Sequence, residues 1–267
     1  MKKILILFFI TLNSLVSGVN YYISSSGGND AANGTSESTP WKTIARLNSV
    51  FSSIKPGDKI LFKRGDTFYG QLKISRSGLP GNPITISAYG TGDKPIITGF
   101  TTIFGWTDEG NGIFSRTVTC KSAPEMMIIN GIQHAMGRYP NFTWLTIDSH
   151  SGDISITDSE LNANIINWKG AEIVQRKGCH FVIDRYKITD HIDQTLYYSG
   201  NGKYPPVNGW GYFIQNDKKT LDLFGEWFYD VSTSTFYLFF GTNNPNDYKV
   251  EISTIDDLVT FSANIDY

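Results

Sequence analysis

Residues 56–99 read PGDKILFKRGDTFYGQLKISRSGLPGNPITISAYGTGDKPIITG. Three short pieces of this stretch carry a period of two or a compact apolar run. Lys59 to Lys63 is apolar at its centre, Gly70, Leu72 and Ile74 alternate with Gln71 and Lys73, and Ile84, Ile86 and Ala88 alternate with Thr85 and Ser87. Pro95 to Thr98 adds a fourth piece. Tight-turn residues separate them: Gly65-Asp66, Gly78 to Pro83, Gly90 to Asp93 and Gly99. Side chains of a strand alternate between faces, so these pieces are strands of an all-β chain. Short strands at even spacing fit either a β-solenoid or a sandwich, and spacing alone does not choose between them.

Upstream, Val19 to Ile23 is β-branched and aromatic and predicts an opening strand. Ser24 to Thr39 is a polar, Gly-containing loop. Thr39-Pro40 suits a helix start, and Trp41, Ile44, Ala45, Leu47 and Phe51 recur at helical spacing, so one amphipathic helix is predicted over 40–53. Residues 1–18 have the order of a secretory leader: Lys2 and Lys3, an apolar stretch, then Val16-Ser17-Gly18. The predicted localisation is secreted, periplasmic or cell-surface, in a bacterium, with no membrane span after the leader is cut. With 23 basic and 25 acidic residues and no basic run, nucleic acid is excluded as a partner. Export permits a disulfide between Cys120 and Cys179; two separate buried thiols are the alternative.

Downstream, 112–251 remains β-rich. Met126 to Ile129 and Ile132 to Arg138 flank Asn130-Gly131 and predict a hairpin with a type I′ turn. Glu226 to Tyr229 and Thr235 to Phe240 predict a second hairpin. Leu161 to Trp168 reads as a short helix. Val250 to Ser253 and Leu258 to Ser262 read as solenoid strands again, and the last residues read as the start of a further turn. The expectation is a truncated chain, the first part of a longer protein.

Several of these segments carry a family resemblance. Tyr21-Tyr22-Ile23-Ser24, Gly28-Asn29-Asp30, Pro40-Trp41-Lys42-Thr43-Ile44, Pro56-Gly57-Asp58-Lys59-Ile60, Arg64-Gly65-Asp66-Thr67-Phe68 and Gly81-Asn82-Pro83-Ile84-Thr85 together resemble the opening of secreted right-handed parallel β-helix proteins. This is the pectate-lyase-like superfamily, in the form common in polysaccharide-degrading Bacteroidetes. Ile129-Asn130-Gly131, Gly137-Arg138-Tyr139-Pro140-Asn141 and Gly225-Glu226-Trp227-Phe228-Tyr229-Asp230 resemble a β-rich insertion found in some of them. The resemblance implies a leader (1–18), an N-terminal cap helix with the first rungs (19–111), an inserted β-sandwich-like domain (112–251) and a resumed β-helix (252–267). It implies an exported carbohydrate-active protein, a polysaccharide lyase or glycoside hydrolase on extracellular polysaccharide or oligosaccharide, with catalytic rungs beyond Tyr267. A non-catalytic glycan-binding or surface-adhesion module is the alternative, because a fold does not dictate an activity.

Glycosidic hydrolysis needs two carboxyls flanking the bond, and a uronate lyase needs a base plus a cation or metal at the carboxylate. Local spacing assigns neither set. His180 and Asp184 share a face if extended, with Arg185 opposite, and form a candidate base with an orienting carboxylate; a local ion pair is the commoner role. His134 and Arg138 are predicted on one strand face. Arg138 is suited to clamp a sugar carboxylate, or to tie the insertion together. His150 and His191 are predicted exposed. Tyr204, Trp210, Tyr212 and Phe213 offer rings for stacking on sugars, or an aromatic plug. Asn29, Asp30, Asn33 and Asp66 carry the oxygens Ca²⁺ takes, making Asp30 and Asn33 candidate ligands; turns held by Asx side chains are the alternative.

Overall fold

A computed structural model describes residues 18–262 and 265, apart from 121, 179, 180, 201 and 202. The segment expected to be a leader, apart from Gly18, and Cys179 and His180 therefore lie outside the described residues. The fold is nearly all β. The chain divides into two compact units, one formed by residues up to Gly99 together with those from Ile255, the other by Phe100–Thr254.

The first unit is built from parallel pairings. Asn20–Ile23, Lys59–Lys63 and Thr85–Tyr89 form one parallel sheet, with Tyr21 opposite Ile60 and Ile60 opposite Ile86. Thr67–Tyr69 pairs in parallel with Ile96–Thr98, and Leu72–Ile74 with Val259–Phe261. Lys59 meets Thr85 26 positions on, and Thr67 meets Ile96 29 positions on. Leu72 meets Val259 187 positions on, of which the 155 residues of Phe100–Thr254 belong to the other unit, leaving 32. One pairing in each sheet thus advances by 26 to 32 positions once the second unit is set aside, while Asn20 meets Lys59 39 positions on, across the helix.

The core of this unit collects Ile23, Trp41, Ile44, Leu47, Phe51, Ile54, Ile60, Phe62, Phe68 and Leu72. The helix is shorter than predicted. It spans Ile44–Val50 and tightens to a 3₁₀ turn over Phe51–Ser53. Its cap is Thr43, whose hydroxyl accepts from the Arg46 N–H; Thr39 and Pro40 lie in the preceding loop. Trp41 stays extended, bridged to Ile23 and stacked on Tyr21 at 5.1 Å. Gly34 (φ +73°) lies so near the Trp41 ring that a Cβ there would approach it to 2.3 Å, and the sharp turn and the close approach both require glycine.

The second unit has two cores. Phe100–Ile103, Val250–Ser253, Met127–Ile129 and Ile132–His134 make one antiparallel sheet, and Thr107–Asp108, Ile113–Thr117, Thr235–Phe239 and Trp227–Asp230 another. Side chains from both, including Ile103, Met127, Trp227, Phe236 and Ile252, fill one core. Both predicted hairpins are present, and Asn130 (φ 50°) and Gly131 (φ 83°) have the paired positive φ of a type I′ turn. Val250–Ser253, expected as a solenoid strand, instead pairs antiparallel on both sides within this unit, burying Val250 and Ile252.

An eight-stranded antiparallel sheet forms the rest. Arg138–Tyr139, Gly211–Gln215, Glu172–Lys177, Val182–Ile192, Thr195–Tyr198, Ser155–Thr157 and Ser149–Ser151 follow in order, with Leu145–Thr146 paired to Gly211–Gln215. Leu145, Ile147, Ile173, Ile188, Tyr212 and Ile214 pack under one face. Leu161 to Trp168 is not a helix. The Asn162 side chain accepts from the Asn164 N–H, drawing the backbone into turns, as Asn competes with a helical ladder.

Candidate functional site

The pairing register sorts the side chains of the eight-stranded sheet onto two faces. Ile173, Gln175 and Lys177 point to the core, so Glu172, Val174 and Arg176 point out. Across the ladder, Val174 stands opposite Phe213 and Arg185, Glu172 opposite Gln215 and Lys187, Arg176 opposite Ile183, and Arg138 opposite Gln215. This outward face forms the floor of a groove of about 420 Å³, whose walls include Glu125, Gln133, His134 and Trp144. A second recess of similar size is lined by Glu172, Lys187, Asn216 and Asp230.

Trp144 and Phe213 meet edge to face at 5.1 Å. The Arg138 guanidinium lies 3.7 Å from the Phe213 ring centre and donates to the Pro140 and Thr143 carbonyls. The Arg176 guanidinium lies 4.1 Å from the centre of Trp144. Stacking on rings fixes the plane of a guanidinium while leaving its N–H edges free to bond. Burial lowers the pKa of His134 below its ordinary value, so its ring is uncharged at neutral pH. That ring packs against Gly225, where a Cβ would come within 1.9 Å of Nδ1.

The predicted site residues fall in different places. His134 and Arg138 do not share a strand, because the strand Ile132–His134 ends before the next begins at Arg138. Arg138 supports the groove by holding its neighbouring loop and stacking on Phe213. Asp184 faces the core side, where Lys177, fully buried, pairs with Asp153 and lies 3.6 Å from Asp184. Tyr186 donates to Asp184 at 2.9 Å. Asp184 is therefore a counter-ion to a buried lysine, a group that needs pairing to remain inside.

Tyr212 is buried, and its hydroxyl donates to Asp158 at 2.6 Å, so its ring is closed to a sugar. Burial, then that hydrogen bond, raises its pKa. Trp210 is half-buried beside the same strand, and Tyr204 is exposed near Phe181. These three do not form one platform. His191, expected at the surface, is 3% exposed; Nδ1 accepts from the Trp168 N–H at 3.2 Å.

The Ca²⁺ candidates are held by protein donors. Asp30 accepts from the Lys42 and Thr43 N–H groups and the Thr43 hydroxyl, and Asn33 from the Thr35 N–H and the Thr39 hydroxyl. Asp66 accepts from both Ser24 and Ser26, while Asn29 accepts from the Ala31 N–H. Oxygens that receive donor hydrogens in this way lock turns, which is the Asx-turn reading of these residues. Among the described residues, no group of three His, Cys, Asp or Glu side chains is placed to hold a metal ion.

The groove presents rings, the Gln133 and Gln215 amides and the Arg185 guanidinium, groups that hold sugars by stacking and hydrogen bonding. It presents one carboxylate, Glu125. In the second recess, the Ser232 hydroxyl and N–H hold Asp230 below the usual carboxylate range, so it is not a proton donor at neutral pH. Buried Glu226 has a raised pKa from desolvation, yet it accepts from the Asp222 and Leu223 N–H groups and serves to lock a turn. Sequence reasoning missed Trp144, Arg176 and Glu125. The alternation of Glu172–Lys177 was the available signal, but Gln175 and Lys177 on the core face disguise it.

No family model matches the chain. A lacto-N-biosidase from Bifidobacterium longum subsp. longum is 45% identical over 91 residues, 33% of this chain and 6% of that protein. The chain thus spans a small part of the curated relative it matches. A solved structure described as a glycoside hydrolase aligns with 92% of this chain and 48% of its own, at 17% identity and a TM-score of 0.70, a likeness of fold. A GH136 lacto-N-biosidase from Eubacterium ramulus matches 32% of this chain and 14% of its own, at 37% identity and a TM-score of 0.29. The three similar proteins named here are glycoside hydrolases. Among the described residues no helix is long and apolar enough to cross a membrane.

Proposed function

We propose that this chain is the N-terminal part of an exported glycoside hydrolase, built on a right-handed parallel β-helix of the pectate-lyase-like kind. In this reading Phe100–Thr254 is an insertion within one turn, and the acid and base carboxyls stand on rungs that follow. The observation that carries the reading is the identity to a lacto-N-biosidase. The similar advance of one parallel pairing in each of the three sheets supports the β-helix. So do the outermost strands, where Ile86, Ile96, Val259 and Phe261 are all exposed, as apolar residues awaiting a further rung would be. Hydrolysis is preferred to elimination because the relative with 45% identity is named as a lacto-N-biosidase. The substrate is an extracellular oligosaccharide or polysaccharide.

The test is to assay the full-length gene product on a panel of neutral and acidic glycans, reading new reducing ends and unsaturated uronates together. New reducing ends without unsaturation are expected. Unsaturated products would replace the hydrolase reading with a lyase. Silence on every glycan, with binding to one, would replace it with an adhesion module.

A further inference from the structure

Lys177 is the one fully buried lysine among the described residues, and it lines neither recess. Its side chain is 0% exposed, and that of its partner Asp153 is 4% exposed. Asp153 stands in the turn between Ser149–Ser151 and Ser155–Thr157. In the sheet, Val182–Ile192 and Thr195–Tyr198 lie between that hairpin and Glu172–Lys177, so the contact of Nζ with the carboxylate spans two intervening strands. A second carboxylate is within reach, since Asp184 Oδ2 lies 3.6 Å from Nζ. The Tyr186 hydroxyl bridges them, accepting from Nζ at 3.1 Å and donating to Asp184 at 2.9 Å. The Tyr186 ring lies 4.4 Å from Nζ and stacks on buried Tyr198 at 5.2 Å. Gly200 presses on Asp153: a Cβ there would come within 2.2 Å of Asp153 Cγ, and its N–H donates to the Asp153 carbonyl.

We propose that Lys177 and Asp153 condense into an intramolecular amide cross-link, with Asp184 and Tyr186 as the proton relay. One ammonium proton passes to the Asp153 carboxylate, leaving an amine beside a carboxylic acid. Nζ attacks Asp153 Cγ and forms the C–N bond. Asp184 takes a proton from Nζ through the Tyr186 hydroxyl and returns it to the departing hydroxyl. The C–O bond breaks and one water leaves. An ammonium and a carboxylate become an amide and water, with no oxidant and no co-reactant. This bond goes beyond the hydrolase reading and does not depend on it.

Three physical points carry it. The fold holds nucleophile and carboxyl in contact, which replaces a bimolecular encounter by an oriented internal step. The reacting atoms are closed to water, so burying the charge of the pair is costly and the amide, once made, is shielded from hydrolysis. The relay residue Asp184 keeps 19% of its side chain exposed, a path by which protons exchange and the released water departs. The bond would tie the outermost hairpin of the sheet to the interior strand Glu172–Lys177, where otherwise two strands of hydrogen bonds intervene. Such a tie would keep the edge strands of an exported protein from peeling away.

The experiment is mass spectrometry of the full chain, purified, unfolded in acid and then digested with trypsin. The intact chain is expected to weigh one water, about 18 Da, less than its sequence requires. The digest is expected to hold a branched peptide joining residues 139–169 to 177–185, because an acylated Lys177 no longer directs cleavage. K177M and D153A, each lacking one reacting group, are expected to show the full mass of their own sequences. D184N keeps both reacting groups and is expected to slow condensation by about a hundredfold, as loss of a positioned acid–base group does, so that the uncondensed mass is seen on purification. The wild-type spectrum decides by itself. A full sequence mass with residues 139–169 released as a linear peptide would overturn the proposal and leave an ordinary buried ion pair. Loss of water mapped to another place, as in an aspartyl cyclic imide, or surviving in K177M, would overturn it too. Complete condensation of D184N on purification would overturn the relay. None of these outcomes touches the hydrolase reading, which stands or falls on its own assay.

Discussion

Asp66 shows how a residue type usual at surfaces becomes an internal fastener. It is 8% exposed and receives the Ser24 hydroxyl at 2.8 Å and the Ser26 hydroxyl at 2.8 Å. Burial opposes its ionisation, but these donors and the charge of Lys63 prevail and hold its pKa below the ordinary value. Asp58 does similar work, accepting from the Val19 and Lys55 N–H groups. The Gly-Asp pairs at 57–58 and 65–66 thus tie separate loops together by carboxylate bonds. Asp66→Asn keeps the shape but loses the charge-assisted acceptors. It should lower unfolding stability by about 1.5–3 kcal/mol at neutral pH, read from urea melts. Because the folded pKa is depressed, the wild-type advantage is present above the unfolded value and vanishes as pH falls through the folded one. A variant as stable as wild type at neutral pH would show that the carboxylate charge contributes nothing.

At the scale of elements, the legible signals were those set by local backbone chemistry. The Asn130-Gly131 turn could be read directly, because few residues accept two successive positive φ values. The strand Glu172–Lys177 could not, since its core face holds Gln175 and Lys177 and its outer face Val174, which inverts the usual polarity. The partners that make Lys177 tolerable come from 24 and 7 positions away in sequence, at Asp153 and Asp184. His191, near the end of Val182–Ile192, was misread for the same reason: its burial comes from a turn 23 positions earlier. Burial lowers its pKa, with the Ile166 backbone and then Asp190 acting the other way. A neutral imidazole is favoured in the fold, so stability is full above the unfolded pKa of about 6.5 and is lost as pH falls below it. His134 shifts in the same direction. The thermal midpoint should therefore drop between pH 7.5 and 5.5, above the range where the carboxylates titrate. His191→Asn should flatten that drop. An unchanged pH slope in the variant would remove His191 as its cause.

For the whole molecule, the consequential feature is the pairing of Phe100 with Ser253. It brings the two ends of Phe100–Thr254 together within an antiparallel sheet, so the unit closes on itself without help from the flanking chain. Its two cores are its own. Residues 100–254 expressed alone should fold, giving one cooperative or two resolved melting transitions and dispersed amide resonances. A collapsed, non-cooperative product would show that the parallel unit is needed to complete it. The same pairing explains why 155 residues can interrupt a parallel repeat and leave the spacing of its sheets little changed.

The sequence by itself determined the all-β class, the short helix and its approximate place, the two hairpins and the polar turns, because each depends on neighbours within a few residues. Only the tertiary structure decided which face of each strand is inside, which acids are fasteners, and where Trp144, Phe213 and the arginines converge. Those outcomes depend on pairing register between strands far apart in the chain. A shift of one residue in register would send every side chain to the opposite face.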